Sequence, residues 1–315
     1  MTRSAETIEP PSISALAKKR INRALRRAIG YELRRLRPVV GPVDPARRLE
    51  IVPEAPDPAE FAELLARRRA PFDRLVTAPT FILSSVRSGS TLLRLVLDSH
   101  PEICSPHELH LRRVGVRALG HGQFALGELG LDERELRHLL WDRILHRELQ
   151  RSGKSRFVNK TPGDSLMWAD LLACWPDARF IHLHRHPAAV VDSWAAARTA
   201  LTRDEVAQDV LAYATGMEQA RELRGGLVVR YEDLTTDPEA VTRRICEFVG
   251  VDWVPAMIDY GKAPHAGLRR GLGDWSDKMR SGVIQPADPP PPADRIPAAL
   301  RPVARAWGYL PAAQA

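Results

Sequence analysis

Apolar residues recur along this chain in two rhythms. Short runs of two to four, Phe81-Ile82-Leu83, Phe157-Val158, Phe180-Ile181-His182-Leu183 and Leu227-Val228-Val229, read as buried strands. Longer stretches with helical spacing lie between them. Leu92, Leu93, Leu95, Val96 and Leu97 open one helix, and Ala188 to Trp194 form another behind Pro187 at its first turn. Acidic capping pairs predict three more starts: Asp132 with Glu135 for a helix to Gln150, Thr202 with Glu205 for one to about Leu223, and Thr236 with Glu239 for one ending before Gly250. Strands alternating with capped helices predict a parallel sheet covered on both faces. Ala298 to Tyr309 reads as a closing helix after the Pro-rich stretch Asp288 to Pro297. Ahead of the first strand, Ile13 to Leu36 is amphipathic and strongly basic, Pro38 to Pro58 reads as a linker, and Phe61 to Arg69 as a short helix. The division expected is therefore a basic helix and linker over 1–77 and an α/β domain over 78–315.

Three of the strands end in anion-binding chemistry. Phe81-Ile82-Leu83 runs into Ser84-Ser85-Val86-Arg87-Ser88-Gly89-Ser90-Thr91 and then a helix. In such a turn the backbone N–H groups and the positive helix end face one anion, and Arg87 adds a forked donor for phosphate or sulfate oxygens. A Walker loop would need Lys before Ser90 or Thr91, and none is there. Phe157-Val158 leads to Asn159-Lys160-Thr161-Pro162. The strand from Arg179 ends at His184-Arg185-His186-Pro187, and Ser193 lies eight residues beyond Arg185, so the two converge on one group. Ligands of open α/β sheets bind at these carboxyl ends.

These residues resemble the PAPS-dependent sulfotransferases, most closely the tyrosylprotein sulfotransferase type and its bacterial relatives. RSGSTLLRLVLDSHPE is similar to the loop for the 5′-phosphosulfate, HRHPAAVVDSW to the 3′-phosphate motif, VNKTP to the Asn-Lys turn, and YEDLTTDPEAVTRRICEFVGV to the strand–helix segment that follows. The resemblance runs from about Pro79 to Val251, with a weaker echo near Trp275 to Pro286. It implies a P-loop-like three-layer α/β core with a central parallel sheet flanked by helices. It also implies transfer of a sulfuryl group from PAPS to an acceptor hydroxyl, leaving PAP.

By the same resemblance, Arg87 and the N–H groups of Ser88, Gly89, Ser90, Thr91 and Leu92 hold the 5′-phosphate. Arg185 and Ser193 hold the 3′-phosphate. Lys160 meets the bridging or sulfuryl oxygen, and Glu108, 21 residues after Arg87, is the base. His107 and His110 flank Glu108 and are rivals for that role, because imidazole is the side chain whose ordinary range lies near neutrality. Tyr231 is expected beside the adenine or in the core. Lys278 and Arg280 are candidates for a loop over the 3′-phosphate, although the full Gly-rich pattern of the cytosolic enzymes is missing there.

Composition adjusts this picture in three ways. A net charge of +7 favours an anionic partner, which a bis-phosphorylated cofactor satisfies. Cys104, Cys174 and Cys246 are too scattered for a zinc site or a disulfide framework, and no metal is expected. No apolar run reaches membrane-spanning length and the first residues lack a signal-peptide core, so a cytoplasmic, bacterial-type enzyme is expected. An Ala-, Arg- and Pro-rich chain tilts the acceptor toward a small metabolite or glycan. No nucleic acid is expected as a partner, and residues 13–37 suit peripheral contact with a membrane. The competing readings are a nucleotide-dependent kinase and a non-catalytic module for anionic surfaces.

Overall fold

A computed structural model describes residues 74–262 and 277–312, with backbone alone for 277 and 278. The expected helix over 13–36, the linker over 38–58, the helix Phe61–Arg69 and the loop residues 263–276 lie outside the described residues.

Five strands form one sheet: β1 (Thr80–Leu83), β2 (Ile103–Cys104), β3 (Arg156–Lys160), β4 (Arg179–His184) and β5 (Leu227–Arg230). Their spatial order is β2-β3-β1-β4-β5, and every pairing is parallel. Parallel strands need crossovers, and the helices supply them. The register sets Ile82 of β1 beside Lys160 of β3 and Leu83 beside His182 of β4. The ends of β1, β3 and β4, each carrying basic residues in sequence, therefore lie side by side on one edge. From β1 the chain passes to one side for β2 and β3 and then crosses to the other side for β4 and β5, and such a reversal of strand order opens the crevice described for doubly wound sheets.

Alternation along the strands builds a core on each face. Phe81, Leu83, Phe157 and Phe180 pack with Trp141, Trp168 and Trp175 on one side. Ile82, Val158, Ile181, Leu183 and Val229 pack on the other, with Leu92, Leu93 and Val96 of α1 (Ser90–Asp98). Two helices follow β2, the short α2 (His121–Glu128) and the long α3 (Glu133–Ser152). The remaining crossovers are α4 (Trp168–Cys174), α5 (Pro187–Ala197) and α6 (Arg203–Arg224). The result is a three-layer α/β fold with a P-loop-like strand–turn–helix at its centre.

Two of the three expected caps form as read. Thr202 and Glu205 make a reciprocal capping box at α6. The Asp132 carboxylate accepts from the Glu135 amide at 2.7 Å to start α3. The third differs. A short helix, α7 (Tyr231–Thr236), intervenes after β5, and Thr236 ends it. The next helix, α8 (Pro238–Val249), is capped by Asp237, whose carboxylate accepts from the Ala240 amide at 3.0 Å. Pro238 at the first helical position explains the shift, because its missing N–H and fixed φ suit that site. The closing helix is also shorter than expected: a 3-10 turn, Ala298–Leu300, leads into α10 (Arg301–Ala306). Between α8 and α10 the described backbone includes α9 (Asp277–Arg280).

Candidate active site

The turn between β1 and α1 leaves the first amides of the helix without a side-chain cap. Gly89, the residue before α1, has φ of 84° and offers no side-chain cap, so the amides of Ser90, Thr91 and Leu92 are not claimed by a capping group. A Cβ at Gly89 would sit 2.2 Å from Cδ2 of Tyr231, so a glycine is required twice over, by conformation and by contact. Arg87 also has a positive φ, 62°, which is costly for a residue with a side chain. Ser85 and Ser88 share a hydrogen bond of 2.6 Å between their hydroxyls inside the turn.

Arg87 and Arg185 come together here. Arg87 Nε donates to Ser193 Oγ at 3.2 Å. Arg185 Nη1 donates to the Arg87 carbonyl at 2.7 Å, and its guanidinium lies 4.5 Å from the centroid of the Tyr231 ring. Tyr231 is 5% exposed, so it is a buried platform between Gly89 and Arg185. Sequence spacing pairs Arg185 with Ser193; in the structure the hydroxyl of Ser193 is engaged by Arg87, and the three residues form one cluster.

Lys160 is fully buried at the end of β3. Its Nζ donates to Thr91 Oγ1 at 3.3 Å and to Glu108 Oε1. Burial pushes the Lys160 pKa down, and the charge of Glu108 opposes that shift. Glu108 thus gives one oxygen to Lys160, while its Oε2 lies 3.5 Å from His110 Nε2. His107 is held below the usual histidine range, mainly by burial.

Residues that sequence reasoning did not single out fix this arrangement. Arg94 projects from α1 into the interior, 3% exposed, and donates to the Ser105 carbonyl at 3.1 Å. The Ser105 amide binds Asp98 Oδ1 at 3.0 Å, and its hydroxyl binds the Val158 carbonyl at 2.9 Å. Together they anchor the start of the loop that presents Glu108. The signal was available, since Arg94 is the one charge inside Leu92 to Leu97. Past Lys160, Asn159 Nδ2 donates to Asp164 Oδ2 at 2.6 Å, and Asp164 is fully buried. Ser165 Oγ bonds both the amide and the carbonyl of Ser84, at 2.9 and 3.0 Å, tying the Lys160 turn to the end of β1.

The late loop is placed in part. Arg280 is exposed, and the Lys278 side chain lies outside the described residues. Between them, Met279 packs in the same cluster as Tyr231, and the Tyr260 hydroxyl donates to the Met279 carbonyl at 3.3 Å.

A model of the sulfotransferase family matches residues 79–255, which contain Arg87, Glu108, Lys160, Arg185, Ser193 and Tyr231. The chain belongs to the sulfotransferase family. Among sulfotransferases it is 26% identical over 202 residues to the protein-tyrosine sulfotransferase of Drosophila melanogaster, covering 57% of this chain and 39% of that one. It is 25% identical over 228 residues to protein-tyrosine sulfotransferase 1 of Danio rerio, covering 66% and 62%. The chain therefore spans less than two thirds of the length of these curated relatives. The sulfotransferase domain of the olefin synthase from Synechococcus PCC 7002 superposes with a TM-score of 0.57 at 28% identity, covering 77% of this chain and 99% of that domain. The sulfotransferase domain of the curacin biosynthetic pathway shares the fold, with a TM-score of 0.54, 22% identity and coverage of 75% and 99%.

Proposed function

We propose that the chain transfers a sulfuryl group from PAPS to an acceptor hydroxyl, with Glu108 as general base. The observation that carries this reading is the convergence of Arg87, Lys160, Glu108 and Arg185 around the β1–α1 turn, inside a sulfotransferase family match.

The donor set fits the cofactor. Two guanidinium groups, a buried ammonium and three helix-start amides suit a ligand with two separated phosphates. PAPS, when bound, supplies the sulfuryl group on a phosphate leaving group. Arg87 and the amides of Ser88 to Leu92 hold the 5′-phosphate. Arg185, braced on Tyr231, takes the 3′-phosphate with Ser193. Charge grows on the leaving oxygen during transfer, and Lys160 is the preorganised donor for it. Thr91 steadies that ammonium. Glu108 accepts the acceptor's proton on Oε2, the oxygen turned from Lys160 toward His110, and His110 orients the carboxylate. The acceptor is a hydroxyl on a small metabolite or glycan, as the composition suggests.

The test is calorimetric titration of PAP in metal-free buffer, for wild type and Arg185→Ala, followed by PAPS turnover with Glu108→Gln. Metal-independent binding that collapses in Arg185→Ala, with Glu108→Gln binding PAP normally and turning over about 100-fold or more slowly, supports the reading. Failure to bind PAP, alongside binding of ATP with Mg²⁺, sinks it in favour of a kinase.

A further inference from the structure

The chain beyond the family match returns to the same edge of the sheet. Trp307 stacks on His184, the last residue of β4, with ring centroids 4.0 Å apart and planes 13° from parallel. Its indole N–H donates to Glu218 Oε1 at 2.8 Å, and Arg230 donates to its carbonyl. Two residues on, the Tyr309 ring lies 4.9 Å from the Arg230 guanidinium and meets His186 edge-on at 5.2 Å. The Tyr309 hydroxyl donates to Glu232 Oε2 at 2.7 Å. The other oxygen of that carboxylate accepts from the His186 amide at 2.9 Å.

This amide matters because of where it lies. His186 follows Arg185 directly and is the cap residue of α5, the helix that carries Ser193. One carboxylate thus joins the carboxyl-terminal segment to the peptide between the two residues assigned to the 3′-phosphate. Glu232 is itself next to Tyr231, on which Arg185 rests. A loose Glu232 would free both the peptide and the platform.

We infer that Tyr309, acting through Glu232, is a positioning residue for the 3′-phosphate site, holding the turn that presents Arg185 and Ser193. The inference rests on the sulfotransferase reading above. A hydroxyl bonded to a carboxylate is a strong, directional tether. Burial and the adjacent Glu232 push the Tyr309 pKa far up, so it stays a donor at any working pH. Residues 79–255 of the family match do not reach it.

Tyr309→Phe keeps the ring on His186 and Arg230 and removes the hydroxyl alone. In the full chain we expect PAP to bind about five- to tenfold more weakly, while 5′-AMP, which lacks the 3′-phosphate, binds unchanged. Hydrogen exchange at the His186 amide of the unliganded protein should quicken. Glu232→Ala should weaken PAP at least as much, and adding Tyr309→Phe to it should weaken PAP no further, because both act through one link. Equal weakening of PAP and 5′-AMP would mean a general packing role and overturn the inference, as would additive losses in the double variant. Unchanged PAP affinity in Tyr309→Phe would overturn it too. A wild type that binds no PAP at all would instead remove the sulfotransferase reading, and the 3′-phosphate role with it; exchange at His186 would still report whether the tether exists.

Discussion

Asp164 shows how single residues near the site carry strain. It is fully buried, its one resolved side-chain partner is the Asn159 amide, and burial raises its pKa to about 8. A carboxyl whose folded pKa lies above its unfolded value favours the protonated fold. As pH rises from about 4 to about 8, the unfolded chain releases the proton first and stability falls across that window. Asp164→Asn should keep the contact with Asn159, since the new amide oxygen still accepts, and should remove this slope. Buried His184, its pKa pushed down to about 3, adds an opposite slope to both proteins, so the quantity to follow is the difference: the melting temperature of wild type relative to the variant should fall from pH 4 to 8. A parallel pair of curves would show that Asp164 is ionised in the fold. None of this could be read from the sequence, where Asp164 is one acid in a turn. Its burial follows from Ser165 being stitched to Ser84 across the sheet.

At the scale of elements, short-range chemistry was legible and its competition was not. The strand ends, the capping box of α6 and the glycine-bearing turn follow from local residue types. Thr236 with Glu239 carried the same local signature, but Asp237 precedes a proline and took the cap of α8. The Thr236 hydroxyl instead donates to the Glu232 carbonyl at 2.9 Å, closing α7. Asp237→Ala should therefore cost about 1 kcal/mol in a urea titration, and Thr236→Ala should cost clearly less. The opposite order would restore the cap to Thr236. The pairing of Arg87 with Ser193 was hidden for a similar reason. It joins a turn after β1 to a helix after β4, and only the sheet order makes them neighbours.

At the scale of the whole molecule, two apolar faces and a third cluster around α5 and α6 leave the cysteines inside. Cys104, Cys174 and Cys246 are all buried. Burial raises the pKa of Cys104, and that of Cys246 to about 11. Reactivity follows the thiolate and its access. The native protein should be inert to a thiol reagent over minutes, and all three sulfurs should react once guanidinium unfolds it. Fast labelling of the native protein would mean that the core opens locally. The short apolar runs predicted buried strands; the packing of Trp307 on His184 and of Tyr309 on His186 was not legible, because it depends on where the chain's last described turn comes to rest.

The contact between Gly89 and Tyr231 has a consequence for how this chain can vary. A side chain at 89 would occupy the space of the ring at 231, and losing that ring would take away the surface on which Arg185 lies. Gly89, Arg185 and Tyr231, though 142 positions separate the first from the last, are therefore inherited as one unit. A relative with a larger residue at 89 must have surrendered the ring at 231, and must brace its strand-end arginine by some other means.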